Sequence, residues 1–135
     1  MRNFQEPSRS VTMSKNGMVA TSHPLAAKVG LDILEQGGNA VDSALAMAFM
    51  LPICEPHSTG LFGDAFALIN EKGTNKIHGF NGSGAAPKNI NADIIRRQGN
   101  TAVPENNVSA VTLPGAVALF DKLMEDFGTL GLSAV

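Results

Sequence analysis

The chain has 135 residues, 44% of them hydrophobic, which suits one domain with a core and is small for two. Charged residues make up only 16% of it, against roughly a quarter in an average soluble domain, so much of its surface is expected to be buried, in its own core or against more protein. The formal net charge of −2 leaves no electrostatic footprint for nucleic acid or anionic lipid, and neither is expected as a partner.

Residues 1–16 read as a polar tail without an apolar stretch of the kind a secretory signal needs, which makes the cytoplasm the expected compartment. Gly17-Met18-Val19-Ala20-Thr21 then reads as a short strand. Pro24 suits the first turn of a helix, where its missing N–H costs nothing. Leu25, Val29 and Ile33 follow at i, i+4 and i+8 as the buried stripe, and Gly37-Gly38 stops the helix. Asn39 is placed to cap a second helix, with Asp42 three residues later as its reciprocal partner in a capping box. From Ala40 to Leu51 only Asp42 and Ser43 are polar, so this helix is expected to be enclosed on nearly all sides. The apolar run ending at Cys54 falls short of the ~20 residues that cross a bilayer.

Pro52 and Pro56 are expected to break the helical pattern, and Glu55 to Asp64 has the composition of a tight, shaped loop. Ala65 to Asn70 and Lys76 to Asn81 flank a Gly-containing turn and read as a β-hairpin, followed by a second Gly-rich turn at Asn81-Gly82-Ser83-Gly84. Asn91 can cap a short helix that runs through Arg97 and ends at Gly99. Thr101 to Asn107 reads as a loop and Val108 to Leu113 as extended. Pro114 opens a final amphipathic helix with Val117, Phe120, Met124 and Phe127 on one stripe, ended by Gly128. Leu132 to Val135 looks ready to start another helix, so the domain is expected to continue past residue 135. This order predicts an α+β or α/β domain with helices over a thin sheet of about three strands, residues 17–135 forming one unit.

Candidate chemistry is sparse. Nucleophilic hydrolysis needs a Ser, Cys or Thr, a base within reach and donors for the oxyanion. In Asn81-Gly82-Ser83-Gly84-Ala85 the second glycine comes one residue too early for a nucleophile elbow, so Ser83 reads first as a turn residue. Cys54 and His57 are three apart, with His23, His78 and Asp64 as further conceivable ligands, but zinc-type spacing is absent and no metal is expected. Cys54, the only cysteine, has no partner for an internal disulfide and reads as a small buried hydrophobe. Arg96-Arg97 reads as a solvated helix face.

The order of motifs is more informative than any one residue. Gly17 to Ala26, Gly37-Gly38-Asn39-Ala40-Val41-Asp42-Ser43-Ala44, Glu55-Pro56-His57-Ser58-Thr59-Gly60 with Gly63-Asp64, Ala86-Pro87, and Val111-Thr112-Leu113-Pro114-Gly115-Ala116-Val117 together resemble the opening of gamma-glutamyltranspeptidases. The resemblance covers residues 17–135, the first part of the large subunit. It implies a four-layer αββα N-terminal-nucleophile hydrolase fold, incomplete in this chain, whose precursor cuts itself into two subunits. It also implies acyl transfer from a γ-glutamyl or related amide to water or an amine, without organic cofactor or metal. The catalytic threonine is then expected outside this chain, in the small subunit, which is the implied partner. Thr21-Ser22-His23 superficially resembles the cleavage site, but its flanks match the family's first strand and helix. Counting back from Ala86-Pro87, the family's carboxylate-binding arginine falls on Ser83, which is therefore the one expected substrate-binding residue here. Serine cannot supply that charge, which points to the branch of the family acting on other acyl groups. A further departure is Leu61-Phe62, where small glycines are commoner. The competing expectation is a non-catalytic binding fragment of the same fold.

Overall fold

A proline that opens a helix and a glycine pair that closes it bound the first element of the computed structural model, which describes residues 11–135. Helix α1 spans Pro24–Glu35, and the His23 ring caps it by accepting a hydrogen bond from the Leu25 amide at 3.2 Å. Its buried stripe is Ala26, Gly30 and Ile33, whereas Leu25 is exposed and Val29 half-buried, which corrects the stripe read from the larger side chains. The cause is close approach to the next helix. Ser43 donates to the Gly30 carbonyl at 2.7 Å, and a Cβ on Gly30 would sit 2.7 Å from Met47 Cγ, so the small residues carry the contact.

Helix α2 spans Ala40–Cys54 and begins with the expected capping box. Asn39 Oδ1 accepts from the amides of Val41 and Asp42, and Asp42 Oδ2 accepts from the Asn39 amide at 2.8 Å. The helix continues through Pro52, which removes one hydrogen bond in the last turn without ending it; the Glu55 amide still reaches the Leu51 carbonyl at 2.7 Å. Nor is α2 enclosed on nearly all sides. Its most deeply buried residues include the polar pair Asp42 and Ser43, while Ala44 is exposed and Ala48 to Pro52 are half-buried.

Strands β1 (Phe66–Asn70) and β2 (Ile77–Asn81) form an antiparallel hairpin in the register Phe66↔Asn81 to Asn70↔Ile77. Period-two alternation turns Ala67, Ile69, His78 and Phe80 towards the helices and leaves Phe66, Leu68 and Ile77 exposed. Among the described residues the sheet has two strands, not about three. Residues 17–21, read as a strand, pair with no neighbouring strand; Gly17 lies instead against Leu34 of α1, and the Ser22 hydroxyl donates to Glu55 at 2.7 Å.

Asn91 caps α3 (Ala92–Arg97) through the Ile94 amide, as expected. The segment read as extended starts as a 3-10 turn, Val108–Ala110, because the Asn107 side chain captures the Ser109 amide. Helix α4 (Ala116–Phe127) supplies most of the core: Ala116, Leu119, Phe120, Leu123 and Met124 pack with Leu45 of α2. Val117, expected on that stripe, is exposed. Phe49 meets Phe120 edge-on at 5.3 Å, and Phe127 takes the rings of His78 and Phe80 at 5.1 and 5.8 Å. The architecture is α+β, with helices over one face of the hairpin.

A buried carboxylate joins the two ends of this arrangement. Asp42 also accepts from the Thr129 hydroxyl at 2.6 Å, the Thr129 amide at 3.0 Å and the Leu130 amide at 3.3 Å, while Asn39 Nδ2 donates to the Phe127 carbonyl at 2.6 Å. Burial pushes the Asp42 pKa up, but the hydrogen bonds from Thr129, Asn39 and Leu130 together outweigh it and hold the carboxyl below the ordinary aspartate value.

Candidate functional site

Three segments far apart in sequence cross at the start of α4. The Gly63 carbonyl accepts from the amides of Gly115 and Ala116, each at 3.1 Å, and so occupies donors that a helix start leaves open. Ala65 and Gly82 exchange backbone hydrogen bonds at 2.8 and 3.3 Å, extending the hairpin by one pair. The Leu113 amide donates to the Ala85 carbonyl at 2.9 Å, and the Thr112 hydroxyl donates to the Ser83 carbonyl at 2.8 Å. The crossing requires glycine at two places. Gly84 has φ +78°, and a Cβ there would collide with the Leu113 carbonyl; a Cβ on Gly115 would collide with the Gly82 carbonyl.

Two clefts open beside this crossing. One, of about 340 Å³, is walled by Phe80, Asn81, Gly82, Gly84, Gly115 and Lys122 among others. The other, of about 350 Å³, lies between the end of α2 and the Glu55–Asp64 loop, with Ser58, Thr59, Gly63 and Asp64 on its wall and Phe120 behind. Lys122 brings the first cleft a cation, but Asp126 at 2.7 Å and Glu125 at 3.4 Å hold it, and these hydrogen bonds raise its pKa.

Ser83 sits at the centre of the crossing. Its amide donates to Asn81 Oδ1 at 3.0 Å and its hydroxyl to the same oxygen at 2.5 Å, the Asx-type geometry of a turn residue. Asn81, not singled out from the sequence, carries the side chain that orients Ser83. The Asn-x-Ser spacing in a Gly-rich turn is the signal that points to it.

The other candidates do not converge. His23 caps α1, and His78 lies in β2 against Phe127 with Glu71 at 3.2 Å. His57 is exposed and Cys54 half-buried. Among the described residues, no three His, Cys, Asp or Glu side chains come together as a metal-binding group. Arg96 pairs with Asp93 at 3.2 Å on an exposed helix face.

The crossing joins the Gly63-Asp64 block and the Val111 to Val117 block, whose order is distinctive in the sequence, through the turn that immediately precedes Ala86-Pro87. A family model described as Gamma-glutamyltranspeptidase matches residues 26–135. The chain belongs to the gamma-glutamyltranspeptidase family. Among its relatives in this family, the Glutathione hydrolase-like YwrD proenzyme of Bacillus subtilis (strain 168) is 40% identical over 119 residues, which cover 87% of this chain and 22% of that protein. The crystal structure of cephalosporin acylase from Bacillus halodurans superimposes with a TM-score of 0.77 at 42% identity, over 96% of this chain and 25% of the other. That of Helicobacter pylori gamma-glutamyltranspeptidase gives 0.77 at 31% identity, over 93% and 36%. The described segment is thus one part of the N-terminal-nucleophile hydrolase fold, and the chain spans about a fifth of the curated relative's length. Among the described residues no helix is long and apolar enough to cross a membrane.

Proposed function

We propose that this chain is the first part of the large-subunit half of an N-terminal-nucleophile enzyme that hydrolyses or transfers a γ-glutamyl or related acyl group from an amide. The observation that carries the reading is the crossing at Gly63, Gly82–Ala85 and Thr112–Ala116, where two of the family's separate sequence blocks meet the Gly-rich turn beside two clefts. In this reading the nucleophile is a threonine supplied by the small subunit, whose free α-amino group serves as its base. The chain alone is then inactive. Ser83 takes the place of the carboxylate-binding arginine, between Gly82 and Gly84 on the wall of the cleft of about 340 Å³. The precursor cuts itself to expose the threonine, in keeping with the proenzyme names of its relatives. The reaction asks for no metal or organic cofactor, and the cytoplasm, where the unpartnered Cys54 stays reduced, is the proposed compartment.

The competing reading, a non-catalytic binding fragment of the same fold, draws on the bare apolar face of the hairpin at Phe66, Leu68 and Ile77. Intact-mass analysis of the native protein separates the two. The enzyme reading expects a second polypeptide that begins with threonine, or a longer precursor that yields one; a native product of this chain alone refutes it.

A further inference from the structure

Ser83 has one hydroxyl proton, and it is committed. The Ser83 hydroxyl donates to Asn81 Oδ1 at 2.5 Å, and because the Ser83 amide donates to the same atom at 3.0 Å, the Asn81 side chain must place its oxygen, not its nitrogen, on this side. The Thr112 hydroxyl has likewise given its proton to the Ser83 carbonyl. What remains for a ligand is the lone pairs of Ser83 Oγ and the two N–H bonds of Asn81 Nδ2, which make no hydrogen bond among the described residues. Asn81 lines the cleft of about 340 Å³ together with Gly82, Gly84 and Lys122. The Lys122 ammonium, the cation on that wall, is held by Asp126 and Glu125 of its own helix.

A carboxylate needs donors and a positive charge. Here the serine can only accept, and the lysine is paired with acids. A neutral group with one acceptor and one donor fits instead: its C=O takes Asn81 Nδ2–H, and its N–H gives to Ser83 Oγ. We infer that Asn81 sets the acyl specificity of this site, through its own amide and by orienting Ser83, and that the acyl groups it favours end in a carboxamide rather than a carboxylate. This rests on the proposed acyl-transfer function and names its substrate class.

The test uses three matched anilides in the complete enzyme, with glutaryl, 4-carbamoylbutanoyl and pentanoyl acyl groups, so that chain length is constant and only the end group changes. With rates normalised to the pentanoyl substrate, the carboxamide is expected to lead the carboxylate by roughly tenfold in kcat/KM, the worth of one net hydrogen bond, expressed mainly in KM. Asn81→Ala frees the Ser83 proton, so the carboxylate substrate should gain and the carboxamide lose. Asn81→Asp keeps the acceptor for Ser83 while removing the donor and adding charge, so both should lose, the carboxylate more. If either variant shifts all three substrates by the same factor, Asn81 is only a turn residue and the inference is overturned. A wild-type enzyme that turns over the anilides but prefers the carboxylate overturns it as well, leaving the acyl-transfer reading intact. A complete enzyme that cleaves γ-glutamyl anilide but none of the three also overturns the inference, and one that cleaves none of the four refutes the acyl-transfer reading, with which this inference falls.

Discussion

Asp42→Asn isolates the carboxylate that ties α2 to the end of α4. The side chain is fully buried and accepts from the Asn39 amide, the Thr129 amide and hydroxyl, and the Leu130 amide. Asparagine preserves the volume but turns one acceptor into a donor that faces other donors, and it removes the charge. Hydrogen bonds to a charged group contribute about 1.5–3 kcal/mol each, but those sharing one acceptor do not add, so a loss of about 3 kcal/mol at neutral pH is expected. The pH dependence fixes the sign. The folded-state pKa of Asp42 lies below its ordinary value, so its contribution is complete above the ordinary carboxylate range and is lost as pH falls through that range towards the folded value. The gap between wild type and variant should therefore narrow on acidification. Urea unfolding must be followed by far-UV circular dichroism, because the chain has neither Trp nor Tyr for fluorescence. A variant within about 0.5 kcal/mol of wild type at neutral pH, or a gap that does not change with acidification, would refute the account.

Gly84→Ala should destabilise by at least about 2 kcal/mol, since alanine is strained at φ +78° and its Cβ meets the Leu113 carbonyl; an unchanged urea midpoint would mean that the crossing is not fixed. Ser83→Arg in the complete enzyme should raise turnover of γ-glutamyl anilides relative to neutral acyl anilides by roughly tenfold, through a bidentate guanidinium–carboxylate pair; an unchanged ratio removes position 83 from the acyl site. The isolated 135-residue chain should self-associate through Phe66, Leu68 and Ile77, and Leu68→Lys should weaken that association in sedimentation velocity. A monodisperse wild-type monomer that melts cooperatively would contradict this.

The elements that the sequence made legible are those whose signals lie within a few residues. The capping box at Asn39 and Asp42, the hairpin around Gly73, the Asn91 cap and the stop at Gly128 each depend on neighbours in the chain. The misread elements depend on partners far away. Leu25, Val29 and Ile33 obey helical spacing, but α2 approaches on the side where Ala26 and Gly30 are small enough to admit it. Residues 17–21 have strand composition, yet a strand needs a second backbone and none adjoins them among the described residues. In α2 the apolar pattern describes a helix covered on more sides than this segment can cover. Position 83 is legible from its spacing to Ala86-Pro87. That Asn81 holds the serine's proton depends on the turn's folded geometry, which composition does not reveal.

The crossing has an evolutionary consequence. Gly84 is pinned against the Leu113 backbone and Gly82 lies close against the Leu119 side chain, so a larger residue at either place would displace its neighbours, but the residue between them bonds through its side chain only to Asn81. Chemistry can therefore change at position 83 while the peptide path around it stays the same. A cephalosporin acylase and a gamma-glutamyltranspeptidase superimpose on this chain with equal TM-scores. A turn held by its backbone in this way lets the side chain at position 83 change without changing the shape around it.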